Sequence, residues 1–157
     1  MIMLISLFTA LVAAGAFIRI PMFPVPMTLQ TLFVFLSALL LPPISSFSSL
    51  LIYIVLGAIG LPIFTSGGGL SALLGPTGGF IFGFLLSAPI GSLLAKKKRD
   101  SIWWNVAVLL VMEVVIYVVG IVWLKVSLDT TWAKAIATGL TPFIVGEAVK
   151  IACAAIC

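Results

Sequence analysis

Long apolar runs, separated by short breaks that contain proline, glycine or charge, dominate this sequence. Six such runs cover residues 1–18, 29–41, 44–59, 80–95, 102–124 and 141–157. Only 8% of the 157 residues are charged, whereas about 25% are charged in a soluble domain. A membrane-spanning helix needs roughly 17 to 25 mostly apolar residues, so about six spans fit and no water-soluble domain is left over. The sequence therefore predicts an all-α membrane protein, with residues 1–157 forming a single domain that is a six-helix transmembrane bundle.

Half of the basic residues lie in one short loop. Lys96, Lys97, Lys98 and Arg99 stand between two apolar runs, so the net charge of +4 does not describe a basic face. Nucleic acid binding is therefore not expected. Short basic loops stay in the cytoplasm, and alternation then puts both termini inside. Residues 19–28, 60–78 and 125–140 come to lie outside, where loops clustered over a helix bundle would form a ligand mouth.

Three ionisable residues lie well inside apolar runs: Glu113, Glu147 and Lys150. Charge inside a membrane is costly, which makes such residues functional candidates. Glu147 and Lys150 are three residues apart and share one helical face. They form either a structural ion pair or part of a site, and we favour the site because the pair lies beneath the outer loops. For Glu113 the sequence leaves two interpretations open: a functional role, or contact with polar groups in the bundle.

The start of the last run places the acid near the outer surface. Thr141-Pro142 is typical of a helix N-cap followed by proline at the first helical position. At a rise of 1.5 Å per residue, Glu147 would lie about 8 Å below such a helix start. The sequence thus predicts that the acidic side chain faces the outer mouth and not the bilayer centre.

Small residues recur at intervals of four on two of the predicted helices. On the fourth helix they are Gly79, Gly83, Ser87, Gly91 and Ala95, and on the first they are Ser6, Ala10 and Ala14. Small residues at this spacing let helices approach closely in lipid. For the fourth helix we predict packing within the bundle, whereas the first helix could pack inside the bundle or against another protein. Cys153 and Cys157 are interpreted as small helix-packing residues.

The composition disfavours an enzyme or a nucleotide-binding subunit. The glycine-rich segment 67–79 lacks the GxxxxGK[ST] arrangement and any lysine, so it is not an ATP site. Its glycines would instead let the backbone turn tightly and approach a ligand. No histidine is present, which removes zinc protease motifs and histidine acid–base chemistry. A transport subunit without its own ATPase must take its energy from a partner or an ion gradient.

Four motifs in order resemble one known family. They are PVPMTLQTL at 24–32, GAIGLP at 57–62, the segment 67–79 and GEAVK at 146–150. Together they are similar to the BioY family, the biotin-specific S components of energy-coupling factor (ECF) transporters, over residues 10–150. The resemblance implies a six-helix S-component fold in a bacterial cell membrane that captures biotin from outside. It also implies docking on a transmembrane T component that two cytoplasmic ATPases drive, with no cofactor or metal in this chain.

The resemblance also implies which residues act. Gly146, Glu147 and Lys150 match the family's usual GDxxK motif, in which the acid and the lysine contact biotin; here glutamate replaces aspartate. A carboxylate beside an ammonium complements the two N–H groups and the carbonyl of a ureido ring. Further candidates for binding biotin are Thr28, Thr77, Gln30 and the loop N–H groups of Gly67, Gly68 and Gly69. In this family a small surface on the first helix meets the T component, and Ala10 and Ala14 fit that spacing.

One alternative is consistent with the residues alone. A homo-oligomeric secondary transporter or small channel for another solute could use Glu113, Glu147 and Lys150 to line its path. A membrane enzyme ranks third because candidate catalytic groups are scarce.

Overall fold

The computed structural model describes residues 1–98 and 101–156, and nearly all of their regular structure is helical. The helices are α1 (Ile2–Phe17), α2 (Gln30–Leu40), α3 (Pro43–Ala58), α4 (Leu70–Leu73), α5 (Gly78–Ala95), α6 (Ile102–Ser127), α7 (Trp132–Gly139) and α8 (Ile144–Ile156). A 3₁₀ turn, Thr141–Phe143, joins the last two helices. Two-residue strands β1 (Arg19–Ile20) and β2 (Met27–Thr28) form an antiparallel hairpin between α1 and α2. The predicted all-α class is confirmed.

Helix lengths agree with a membrane protein, although they differ among the elements. In the described part of the chain, three helical segments are long and apolar enough to cross a bilayer: Gly78–Ala95, Ile102–Ser127 and Trp132–Ile156. Helices α1, α2 and α3 are apolar but shorter, with 16, 11 and 16 residues. Segments 60–78 and 125–140, which were predicted to be loops, contain the two additional short helices α4 and α7.

The predicted N-cap at Thr141 is wrong. An N-cap residue has an extended backbone, whereas the chain reaches Thr141 directly from α7, which Thr131 caps by accepting from the Lys134 N–H at 3.4 Å. Thr141 Oγ1 instead donates to the Ile136 carbonyl at 3.5 Å. Helix α8 begins at Ile144, so Glu147 lies in its first turn. The acid is therefore closer to the start of its helix than the sequence predicted.

The small residues of α5 allow it to pack tightly against α6. A Cβ on Gly83 would lie 2.9 Å from the Ile116 Cα, and one on Gly91 would collide with the Met112 side chain. Ser87 and Ala95 on the same face are also buried. The predicted role of this ridge in packing within the bundle is confirmed.

Helix α1 has one buried face and one exposed face. Val12 and its buried neighbours pack towards α2 and α3, and Thr9 Oγ1 donates to the Ser49 carbonyl of α3 at 2.9 Å. Ser6, Ala10 and Ala14 are all exposed on the opposite face. The small-residue stripe of this helix is therefore not used for packing inside the bundle.

The prediction that Cys153 is a helix-packing residue is wrong. The buried residues of α8 are Glu147, Lys150, Ile151, Ala154 and Ala155. Cys153 is exposed, because its position on the helix turns it away from the face that meets the bundle. The other cysteine, Cys157, and Arg99 of the basic loop lie outside the described residues.

Candidate functional site

The buried ion pair of α8 is tied to α2 by a threonine. Lys150 Nζ lies 2.7 Å from Glu147 Oε1 and donates to Thr31 Oγ1 at 2.8 Å. The Thr31 hydroxyl donates in turn to Glu147 Oε1 at 3.2 Å. Glu147 is 6% exposed and Lys150 is 7% exposed, so water contributes little to the solvation of either charge. The predicted pairing of these side chains on one helical face is confirmed.

Only one of the two carboxylate oxygens of Glu147 is used by this network. Glu147 Oε2 is buried and has no hydrogen-bond partner among the described residues. A buried acceptor without a donor is costly, and the cost is greater for a charged group. The free oxygen is therefore ready to accept hydrogen bonds from a ligand.

Glu147 lines a cavity that collects residues from most of the chain. The empty space between its lining atoms is about 480 Å³ when open solvent at the mouth is counted, and the part that admits the centre of a water molecule is about 50 Å³. Polar groups lie among aromatic and aliphatic side chains, as in sites for small molecules. The lining residues are Val25, Pro26, Thr28, Gln30, Thr31, Thr65, Thr77, Phe80, Ile81, Phe84, Ile116, Tyr117, Phe143 and Glu147.

Four residues predicted as ligand contacts meet at this cavity: Thr28, Gln30, Thr77 and Glu147. Thr77 Oγ1 resembles Glu147 Oε2, since it is buried without a hydrogen-bond partner among the described residues. Lys150 does not line the cavity but contacts two residues that do. Its ammonium group therefore stabilises the negative charge of Glu147 without reaching the cavity itself.

The three consecutive loop glycines do not line the cavity, so the structure does not bring them to the other predicted contacts. Gly67 has φ of 111° and exchanges both backbone hydrogen bonds with Phe64. Gly69 has φ of 92°, and its N–H donates to the Gly57 carbonyl at 2.7 Å. These left-handed conformations suit glycine. The glycines shape a loop that presents a different residue, Thr65, to the cavity.

The loop is also hydrogen-bonded to the hairpin that lies between α1 and α2 in the chain. The Arg19 guanidinium of β1 donates to the Thr65 carbonyl. Thr65 and Thr28 of β2 both line the cavity. The hairpin and the glycine loop therefore meet at the site, as expected for loops that cluster at one end of the bundle.

Several residues at the site were missed by the sequence analysis. Thr31 belongs to the PVPMTLQTL motif and follows Gln30 directly. A polar residue beside the predicted contacts Thr28 and Gln30 in the same motif could have identified it. Tyr53, which bonds to Gln30, is the only hydroxyl-bearing aromatic residue of its apolar run. The wall residues Phe80, Phe84 and Phe143 carried no signal, because phenylalanine occurs throughout the chain.

Glu113 lies apart from the cavity. It lines an apolar groove beside α7 with residues such as Val118 and Ile136, and Tyr117 belongs to both the groove and the cavity. Both carboxylate oxygens of Glu113 are buried without a hydrogen-bond partner among the described residues. No hydrogen bond joins Glu113 to a polar group among the described residues, and both roles considered for it remain predictions. The cavity is lined by Glu147 but not by Glu113, so it is not a path that both acids line.

Comparison with known proteins gives a consistent result. The family model described as the BioY family matches residues 1–157. The chain is 42% identical over 152 residues to the biotin transporter BioY of Thermotoga maritima, covering 96% of this chain and 89% of that protein. It is 41% identical over 154 residues to the probable biotin transporter BioY of Pyrococcus horikoshii, covering 98% of this chain and 90% of that protein.

A solved structure resembles the fold as a whole. It is a 2.1 Å crystal structure of the S-component for biotin from an ECF-type ABC transporter. The two chains superpose with a TM-score of 0.89 at 25% sequence identity, over 99% of this chain and 86% of that one.

Proposed function

The chain belongs to the BioY family, and from this we propose that it is a biotin-binding S component of an ECF transporter. One observation supports the assignment to the cavity: Glu147 Oε2, beside Lys150, is buried and has no hydrogen-bond partner within the part of the chain that the structure describes. A carboxylate in that state binds an N–H donor and repels an acceptor. Family and relatives are transporters, so the chain is not an enzyme.

Biotin matches the polarity of the cavity. One ureido N–H group would donate to Glu147 Oε2, forming a charge-assisted hydrogen bond in a poorly solvated site. Phe80, Phe84 and Phe143 offer an apolar wall for the fused thioether ring. Thr77 Oγ1, which has no hydrogen-bond partner in the described residues, and the Gln30 amide are the proposed donors for the remaining acceptors of biotin.

The proposed topology has six spans, with α7 and α8 together forming the sixth. Both termini and the basic loop would lie in the cytoplasm of a bacterium, and the cavity would open to the outside. A T component would dock on the exposed Ala10 and Ala14 face of α1, with ATP hydrolysis supplied by two cytoplasmic ATPases. The chain itself would hold no cofactor, and biotin would be its only small-molecule ligand.

Titration of the purified protein with biotin tests this proposal. We expect saturable binding of one biotin per chain, weaker binding of dethiobiotin, which keeps the ureido group but lacks the thioether ring, and no binding of riboflavin. Tight riboflavin binding with no response to biotin would contradict the assignment.

The proposed topology is tested by cysteine labelling in intact cells, with Cys153 and Cys157 first changed to alanine. Ser101→Cys, beside the basic loop, should resist an impermeant thiol reagent because short basic loops are retained in the cytoplasm. Ala133→Cys, at an exposed position of α7, should be labelled and serves as the control. Labelling of Ser101→Cys with protection of Ala133→Cys would invert the topology.

A further inference from the structure

The Gln30 side chain is held by neighbouring polar groups. Its Nε2 donates to the Tyr53 hydroxyl at 2.6 Å, and its Oε1 accepts from Thr28 Oγ1 at 3.5 Å. Gln30 lines the cavity and is only 3% exposed. The amide is therefore oriented before a ligand arrives.

Tyr53 connects this amide to the outer loop. Its hydroxyl accepts from Gln30 and donates to the Ile63 carbonyl at 3.3 Å. The Tyr53 ring is fully buried and packs edge-to-face on Phe64, with ring centroids 5.3 Å apart. Phe64 pairs through its backbone with Gly67 in the same loop. One hydroxyl group thus joins a cavity-lining side chain to the backbone of the loop that presents Thr65.

We propose that Tyr53 is a positioning residue for the ligand: its hydroxyl fixes the Gln30 amide at the cavity wall and couples it to the outer loop at Ile63. Tyr53 does not line the cavity, so it acts through Gln30. This inference rests on the proposed function, because it concerns the affinity of the same cavity for biotin.

The physical reason is the freedom of the amide. The terminal torsion of glutamine is broad, and the Tyr53 hydroxyl restricts it. Without that hydroxyl, the buried Nε2 of Gln30 would lose its acceptor, and the amide would rotate towards a different acceptor. A ligand would then have to reorient the amide as it binds. Loss of one neutral hydrogen bond of this kind corresponds to about three- to tenfold weaker binding.

A double-mutant cycle on the full chain in detergent tests the proposal. Tyr53→Phe keeps the ring and should raise the biotin Kd about three- to tenfold. In a Gln30→Met background, where the amide is already absent, Tyr53→Phe should change the Kd less than about twofold. A purely structural role would give the same loss in both backgrounds, or no change in Kd at all, and either result would overturn the proposal.

Ser92→Ala is the matched control for losing a buried hydroxyl. Ser92 donates to the Leu41 carbonyl away from the cavity, so its loss should lower the melting temperature without changing the Kd. Failure of the parent to bind biotin would refute the proposed function. Parent binding that Tyr53→Phe leaves unchanged would refute only the role of Tyr53.

Hydrogen exchange gives a readout that does not need a folded Tyr53 variant. Biotin should slow amide exchange in residues 61–67 of the parent, because Ile63 is linked to the Gln30 amide. In Gln30→Met the same protection should be smaller, measured at saturating biotin. Equal protection in both proteins would show that the loop does not sense the amide, which contradicts the proposal.

Discussion

Glu147→Gln is expected to weaken biotin binding about ten- to a hundredfold, because it removes a charge-assisted hydrogen bond worth about 1.5 to 3 kcal/mol. Glu147 Oε1 is bonded to Lys150 and Thr31, whereas Oε2 has no hydrogen-bond partner in residues 1–98 and 101–156. If the amide oxygen of the variant keeps the bonds to Lys150 and Thr31, the amide NH₂ takes the place of Oε2. A ligand N–H group would then meet a donor instead of an acceptor.

Lys150→Met should weaken binding comparably, for a different reason. The methionine removes the cation that lies 2.7 Å from Glu147 Oε1 and leaves a buried carboxylate with the Thr31 hydroxyl alone. Breaking one side of a buried pair costs more than replacing both. The Glu147→Gln, Lys150→Met double variant should therefore fold as well as either single variant while binding biotin more weakly than both.

Isothermal titration together with thermal unfolding of each purified variant separates binding from stability. Lys134→Met is the matched control, since this lysine is exposed and its loss should leave the Kd unchanged. Glu147→Asp restores the acid usual in the family and should stay within a few-fold of the parent. Parent-like affinity in Glu147→Gln and Lys150→Met, with lowered melting temperatures, would show that the pair is only structural.

Ala10→Trp and Ala14→Trp should each abolish ATP-driven uptake while leaving biotin binding intact. Both alanines are exposed on α1, opposite the face that carries Val12 and the Thr9 bond to α3. A tryptophan at either position would keep a partner helix from the close approach that small residues allow. Neither alanine lines the cavity, so the Kd for biotin should not change.

Uptake of labelled biotin by vesicles that contain the chain together with the T component and ATPases of the proposed transporter measures this effect. Leu110→Trp, an enlargement at an exposed position of α6, is the control and should retain uptake. Normal uptake by both alanine variants would rule out this face as the T-component interface. Loss of biotin binding in them would mean instead that the α1 surface supports the fold of the site.

The sequence predicted the class of fold because the bilayer imposes a simple rule. Every backbone polar group must be satisfied internally, so apolar runs of sufficient length become helices. Five of the six runs correspond to α1, α2, α3, α5 and α6 within a few residues at each end. The sixth was placed incorrectly at its start. Thr141-Pro142 has the local sequence pattern of an N-cap. That pattern could not show that another helix, α7, comes just before these residues.

By itself, the sequence determined that Glu147 and Lys150 would pair, since three residues on one helix bring them to the same face. It also determined the ridge of small residues on α5.

Contacts between distant segments were decided only by the tertiary structure. Thr31 and Lys150 are 119 residues apart in the chain, and no local period relates them. The hydrogen bond between Tyr53 and Gln30 also joins distant segments. The exposure of Ala10 and Ala14 was likewise decided only by the tertiary structure. Which face of a helix meets a neighbour depends on packing of the whole bundle. That packing, not the local pattern, left Glu147 Oε2 at the cavity with no hydrogen-bond partner from the described residues.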